Sequence, residues 1–170
     1  AQYTYAFSKW VDEAGNDASL SNIDKNVTLT ATFTSTLRSY KIIFKNGAQV
    51  LKEENVDYGT LPAPPTEPPT KEADAQYTYA FKGWDKKIVE VTGEATYNAE
   101  FTPTLRSYKI TFKNGEQVLK EDDVNYGVLP TPPADMPTKE ADAQYTYTFK
   151  GWDKTVENVT GEATYNAEFN

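Results

Sequence analysis

The sequence predicts a mainly β protein that consists of tandem units of about four strands each, with little helix. Three observations support this fold class. The chain repeats itself, with Tyr40 aligning on Tyr108; apolar and polar residues alternate in short runs; and turn-forming or proline-rich segments separate those runs. A fixed internal period determines the organisation of the whole chain.

Two complete repeats account for most of the sequence. Residues 40–101 align without a gap on residues 108–169, and 15 of the 62 aligned positions differ. The linkers 36–39 and 102–107 both contain Leu-Arg-Ser. Linkers this short leave little slack between consecutive units.

The first 35 residues form a half unit. Ala1–Phe7 recurs as Ala75–Phe81 and, with one change, as Ala143–Phe149. Residues 1–35 therefore supply only the last two strands of a repeat, with a longer loop after Trp10. We predict a half unit followed by two full units.

Each full unit is expected to begin with a β-hairpin. In the last unit Tyr108, Ile110 and Phe112 alternate with polar residues, which is typical of a strand with one buried face. Asn114-Gly115 follows at once and provides the positive φ angles of a tight turn. The chain should then return antiparallel over Gln117–Tyr126.

An extended crossover is expected after the hairpin. Leu129–Pro137 contains four prolines, which disfavour both a helix interior and a central strand. The following segment, Thr138–Ala143, is long enough for a single helical turn or a loop, and the sequence leaves both open.

Two more strands are expected to close the unit. Tyr145, Tyr147 and Phe149 resume the alternation, and Gly151 shifts its phase before Trp152, which suggests a β-bulge. Thr164–Phe169 alternates again and is expected to form the final strand.

The aromatic side chains are the expected core. A unit of about 60 residues has little apolar surface to bury, and aromatic rings each remove a large area from water. In the last unit the expected core aromatics are Tyr108, Phe112, Tyr126, Tyr145, Tyr147, Phe149, Trp152, Tyr165 and Phe169.

Composition argues against several functions. The net charge of −8 opposes binding to nucleic acid, and no apolar run is long enough for membrane insertion. The chain has no His and no Cys, which removes the commonest general base, thiol nucleophiles and the usual zinc ligands. We therefore predict a non-enzyme with no catalytic residues, no metal site and no cofactor; the ligand-binding residues stay unknown.

The ordered motifs resemble a known family. They are Tyr-Lys-Ile-x-Phe-Lys-Asn-Gly, Val-x-Tyr-Gly, a proline-rich gap, Phe-Lys-Gly-Trp-Asp and Val-Thr-Gly-Glu-Ala-Thr-Tyr. This pattern resembles the Listeria–Bacteroides repeat, the B repeat of internalin B. The resemblance implies a β-grasp-like, ubiquitin-related unit in bacterial cell-surface or secreted proteins, extracellular in location, acting as a spacer, stalk or accessory adhesion module.

Several alternatives remain open at this stage. Trp84 and Trp152 could form a carbohydrate- or host-receptor-binding platform, although core packing is the preferred interpretation. The partners would then be a host or bacterial surface protein or a glycan. The half unit could leave the chain a monomer or borrow strands to form a swapped dimer.

Two further site hypotheses concern charged side chains. The acidic clusters Glu53-Glu54 and Glu121-Asp122-Asp123 could help to bind calcium, and the loop Asp12–Asp17 superficially resembles a calcium loop, but this loop lacks the alternating ligand spacing. A solvated acidic edge is the preferred interpretation. Lysine–asparagine cross-links are conceivable between Lys41 and Asn98 and between Lys109 and Asn166.

Overall fold

The described part of the chain is all β. The computed structural model describes residues 2–18, 21 and 23–170, and no helix occurs among them. The strands are β1 (Tyr3–Val11), β2 (Thr30–Leu37), β3 (Ser39–Asn46), β4 (Gln49–Asp57), β5 (Tyr77–Trp84), β6 (Ala95–Leu105), β7 (Ser107–Asn114), β8 (Gln117–Asn125), β9 (Phe149–Trp152) and β10 (Ala163–Phe169). The predicted fold class, mainly β with little helix, is confirmed.

Each full repeat forms one four-stranded sheet with the same strand order. The orders are β4-β3-β6-β5 and β8-β7-β10-β9. The predicted hairpins β3–β4 and β7–β8 are antiparallel, whereas the central pairs β3–β6 and β7–β10 are parallel. Alternation predicted the strands, but the parallel pairing of the central strands depends on the crossover. In the last repeat the crossover carries the chain from the end of β8 back to the end of the sheet where β8 began, so that β10 can run parallel to β7.

The half unit forms a separate two-stranded antiparallel sheet. Strand β1 pairs with β2, so that Tyr3 lies opposite Leu37 and Phe7 opposite Phe33. A register shift between Phe7 and Lys9 leaves Ser8 as the extra residue of a bulge. These strands correspond in sequence to β5 and β6 of the first full repeat.

Packing divides the chain differently from the sequence repeat. One compact unit comprises Ala1–Pro69 with Lys82–Glu100, and the other comprises Thr70–Phe81 with Phe101–Asn170. The outer parts of β5 and β6 thus pack with the residues of the following repeat. The domain boundaries predicted at 40–101 and 108–169 stay a prediction.

Each unit has a small core centred on one phenylalanine. In the first unit Phe44 is fully buried with Ile42, Val56, Val91 and Tyr97. In the second, Ile110, Phe112, Val159 and Tyr165 are buried. The rings of Phe44 and Tyr97 stack with centroids 5.0 Å apart, and Phe112 stacks on Tyr165 at the same distance.

The predicted aromatic core is only partly correct. Phe112 and Tyr165 are buried, and Tyr108 and Trp152 are half-buried against them, but Tyr145 is 57% exposed. Tyr145 stands in a segment that is not part of a strand.

Sequence reasoning missed Val91 and Val159, which lie in the loop before the last strand. The amide of Val159 donates to the carbonyl of Val128, and its own carbonyl accepts from Gly127, which fixes the loop over the core. The only signal was the identical Val-Thr-Gly in both repeats.

The proline-rich crossover is extended, as predicted. Pro130 and Pro137 are buried, and Lys120 donates to the carbonyl of Thr131 at 2.8 Å. The helical turn considered for Thr138–Ala143 is not formed, because the carboxylate of Asp142 accepts the next amides in a tight loop instead.

The third strand of the last repeat is shorter than predicted. Strand β9 begins at Phe149, whereas the alternation predicted a strand from Tyr145. The predicted bulge is confirmed: Trp152 lies opposite Ala167 and Phe149 opposite Phe169, so β9 has one extra residue, and Gly151 has φ +143°. The bulge turns Trp152 towards the core, where its ring lies 4.8 Å from Phe112.

Candidate functional site

The candidate site lies where one repeat passes into the next. We call Asp74–Tyr77 the first junction loop. Asp74 Oδ1 accepts hydrogen bonds from the amides of Gln76 and Tyr77 at 2.8 and 2.7 Å, and Oδ2 accepts from the hydroxyl of Tyr79 at 2.7 Å. The Asp74 amide donates to the Tyr77 carbonyl. An aspartate is suited to this position because its short side chain reaches amides two and three residues ahead.

Arg106 of the linker and Tyr108 of the following repeat bind the carbonyls of this loop. Arg106 Nη1 donates to Asp74 O at 2.7 Å, and Tyr108 Oη donates to Ala75 O at 2.7 Å. The Arg106 amide donates to Gln76 O at 2.9 Å. The guanidinium also lies 4.8 Å from the centre of the Tyr108 ring. Three successive carbonyls are therefore held by one residue of the linker and the first residue of the next repeat.

The charges around the loop support this arrangement. The Tyr79 hydroxyl, followed by the Tyr77 amide, lowers the pKa of Asp74 from its ordinary value, and the hydrogen bond to Asp74 raises the pKa of Tyr79. Lys71 Nζ lies 3.8 Å from the centre of the Tyr79 ring. Asp74 therefore stays ionised at neutral pH, and the cation of Lys71 also favours its charged form.

The last repeat contains the same loop. We call Asp142–Tyr145 the second junction loop. Asp142 accepts from the amides of Gln144 and Tyr145 at 2.8 and 2.7 Å and from the hydroxyl of Tyr147 at 2.6 Å. The Tyr147 hydroxyl, first among several donors, lowers the pKa of Asp142.

Asp74 should make folding dependent on pH in the acid range. A carboxyl whose pKa is lower in the folded state adds stability above its unfolded pKa, and this stability is lost as pH falls through the folded pKa. Between pH 7 and pH 2 we therefore expect Asp74→Asn to lose less unfolding free energy than the wild type does, as measured by urea denaturation. At pH 7, Asp135→Asn, at an exposed loop position, should leave the unfolding free energy close to that of the wild type. A parallel loss in Asp74→Asn and wild type would contradict the assignment.

The two tryptophans considered for a binding platform each pack against the core of their own unit. Trp84 and Trp152 are half-buried and meet Phe44 and Phe112 edge-on, both at 4.8 Å. The exposed aromatic cluster lies instead on β1 and β2, where Trp10 and Phe33 both lie next to Phe7, with centroids 5.6 and 6.2 Å away. We call Tyr5, Phe7, Trp10 and Phe33 the half-unit aromatic cluster.

The acidic clusters lie on the edge strands β4 and β8 and pair across the sheet. Lys41 lies 2.7 Å from Glu53, and Lys109 lies 2.7 Å from Glu121. These hydrogen bonds raise the pKa of both lysines. The acidic strands therefore form exposed ion pairs along the sheet edge.

The residues of the hypothesised cross-links and calcium loop have other partners. The side-chain amides of Asn98 and Asn166 donate to Asp85 and Asp153, both at 2.7 Å. Asp12 accepts from the amides of Ala14 and Asn16 within its own loop. Within the described residues, no group of three or more acidic side chains is arranged to hold a metal ion.

No helix that could span a membrane is found in the described residues.

An open groove of about 400 Å³ lies between the β7–β8 hairpin and the end of the proline-rich crossover, with Lys120 and Met136 among its lining residues. The site as a whole contains hydrogen-bonded structural contacts rather than an arrangement suited to acid–base or nucleophilic chemistry.

Comparisons with known proteins agree with the resemblance inferred from the motifs. No curated protein sequence matches the chain. One solved structure that aligns is a pair of Streptococcal High Identity Repeats in Tandem domains, 3 and 4, from a cell surface protein; it is 21% identical, the alignment covers 78% of this chain and 95% of that one, and the TM-score is 0.30. Residues 1–37 match the family model of the divergent InlB B-repeat domain, which confirms that this chain resembles the internalin-type repeats of bacterial surface proteins.

Proposed function

We propose that this chain is a non-catalytic repeat segment of a bacterial cell-surface or secreted protein, and that it serves as a spacer or stalk. The observation that carries the proposal is the clamp of Arg106 and Tyr108 on the first junction loop. A spacer must resist bending where one sequence repeat passes into the next, and three hydrogen-bonded carbonyls restrict this passage more than a flexible chain would. The β-grasp-like character of each unit is part of the proposal and is supported by the strand order and the parallel central pair.

Near-identical duplication also favours a role based on number and position. A second copy of a unit adds reach or valency without adding chemistry. Extracellular placement is supported by the match of residues 1–37 to the divergent InlB B-repeat model.

Arg106→Ala should loosen the junction. We expect a loss of about 1–2 kcal/mol in unfolding free energy, because a charged hydrogen bond and the contact with the Tyr108 ring are removed. Because the chain has no cysteine, spin labels can be placed through Glu72→Cys and Glu116→Cys, both in one compact unit. The distance distribution between these labels should be narrow and should broaden with Arg106→Ala.

Arg38→Ala provides the matched control. Arg38 lies in the same Leu-Arg-Ser sequence, but within the described part of the chain only its backbone amide and carbonyl form hydrogen bonds. It should leave the label distribution unchanged. Equal widths with and without Arg106 would contradict a stiffened junction and, with it, the spacer proposal.

A second candidate function is binding of a glycan or a host or bacterial surface protein. It is favoured by the half-unit aromatic cluster, in which Tyr5 is 67% exposed and Phe33 59% exposed. Aromatic faces at a surface suit stacking on sugars or burial in a partner. A glycan array that is silent for the wild type would count against the sugar-binding form of this alternative.

The half unit also bears on the oligomeric state. In the first full repeat β6 pairs with a strand on each side, β3 and β5. Its counterpart in the half unit, β2, pairs with β1 in a two-stranded sheet. The chain is proposed to be either a monomer or a dimer in which strands are exchanged through the half unit. Light scattering of the wild type and of a chain lacking residues 1–35 separates these two states.

A further inference from the structure

Two copies of one segment have different structures in this chain. Residues 70–81 and 138–149 are identical except that Ala80 is replaced by Thr148. In the first copy the residues from Tyr77 onwards form β5, but in the second copy Tyr145–Thr148 are not in a strand. The difference therefore comes from what lies beside the segment.

The second junction loop has the same hydrogen-bond geometry as the first. Its aspartate makes the same three hydrogen bonds, with lengths that differ by no more than 0.1 Å, and Lys139 lies 3.8 Å from the Tyr147 ring as Lys71 does from Tyr79. The carbonyls of Asp142 and Ala143 correspond to those of Asp74 and Ala75, which accept hydrogen bonds from Arg106 and Tyr108. Within residues 2–18, 21 and 23–170, no side chain donates to them.

We propose that the second junction loop, with Tyr145–Thr148 beside it, is a docking site for the Leu-Arg-Ser-Tyr segment of a further copy of this repeat. The arginine would bind the carbonyl of Asp142, the tyrosine that of Ala143, and the leucine end would add as an antiparallel strand. Both occurrences of Leu-Arg-Ser-Tyr in this chain, at residues 37–40 and 105–108, follow a strand that pairs with the same aromatic sequence.

The register of the docked strand follows from the half unit. There, Tyr3 lies opposite Leu37, and the Arg38 amide donates to Gln2 O. In the last repeat the amide of Thr148 donates to Asn170 O and receives the return bond from the Asn170 amide. Asn170 aligns with Thr102 of β6. The Thr148–Asn170 pair therefore has the register that the docked strand would continue. The next amide to become paired would be that of Thr146.

The site is tested by extending the full chain. A copy of residues 103–108 is added after Asn170, which makes docking intramolecular and raises the effective concentration of the segment. We expect amide exchange at Thr146 to slow by about tenfold or more, because docking adds several hydrogen bonds to this segment. Thr78, which holds the equivalent place in β5, is the internal reference for a protected amide.

A second extension carries Ala in place of the arginine and Phe in place of the tyrosine. If it slows exchange at Thr146 clearly less than the native extension, the carbonyl docking site is supported. The proposal is overturned if the native extension leaves Thr146 unchanged, or if both extensions slow it equally, since the strand would then add without recognition of arginine and tyrosine. The inference does not depend on the spacer role, so its failure leaves that proposal intact.

Discussion

Phe44→Ala is expected to remove about 3–5 kcal/mol from the unfolding free energy of the first compact unit. Phe44 is 0% exposed, stacks on Tyr97 and is met edge-on by Trp84. Its removal leaves a cavity in a core of only five buried residues. Because domains of this size are only marginally stable, much of the unit should unfold at room temperature. Urea denaturation followed by circular dichroism measures the loss.

Phe33→Ala is the matched control for this substitution. Phe33 is the same residue type, but 59% of it is exposed on the half unit. Its loss should cost far less than that of Phe44, since little of its surface is buried. If Phe44→Ala does not fold, Phe44→Leu keeps most of the volume and should give a measurable intermediate loss. Equal losses for Phe44→Ala and Phe33→Ala would show that the core assignment is wrong.

Gly151→Ala is expected to cost about 1–3 kcal/mol in the second unit. Gly151 has φ +143°, a region that residues with a Cβ rarely adopt, although no atom lies within 4 Å of the position of an added Cβ. The penalty is therefore one of backbone strain and not of packing. Denaturation with Trp fluorescence is the appropriate measurement, because the bulge holds Trp152 against Phe112.

The strand itself should survive this substitution. In β1 the bulge forms with Lys9 at the position that Gly83 holds in β5, so a side chain there is compatible with a bulge. Gly161→Ala is the control, since Gly161 also has open space around its Cβ position but has no positive φ. A loss for Gly161→Ala as large as that for Gly151→Ala would contradict the strain argument.

The hairpins and the bulge could be predicted from the sequence because the patterns that specify them lie between neighbouring residues. Asn114-Gly115 predicted the β7–β8 hairpin, and the phase shift at Gly151 predicted the bulge before Trp152. Turn chemistry and alternation act between neighbours in sequence, so they need no knowledge of the distant parts of the chain.

The candidate site was not predicted. Arg106 was noted only as part of a linker, and Asp74 was not singled out; its counterpart Asp142 was noted only as part of a segment that could have formed a helical turn. Their contact joins residues 32 positions apart, and its acceptor is a main-chain carbonyl. Every residue has such a carbonyl, so no residue type in the sequence marks the acceptor.

By itself, the sequence determined the repeat, the mainly β character, the hairpins and the bulge. The tertiary structure decided the parallel central pair, the burial of Val91 and Val159, and the clamp on the first junction loop. The clearest case is the segment that forms β5 from Tyr77 but remains outside β9 as far as Thr148. A strand is stabilised by hydrogen bonds to a neighbouring chain segment, so its own residues specify the pattern while the neighbour decides whether it forms.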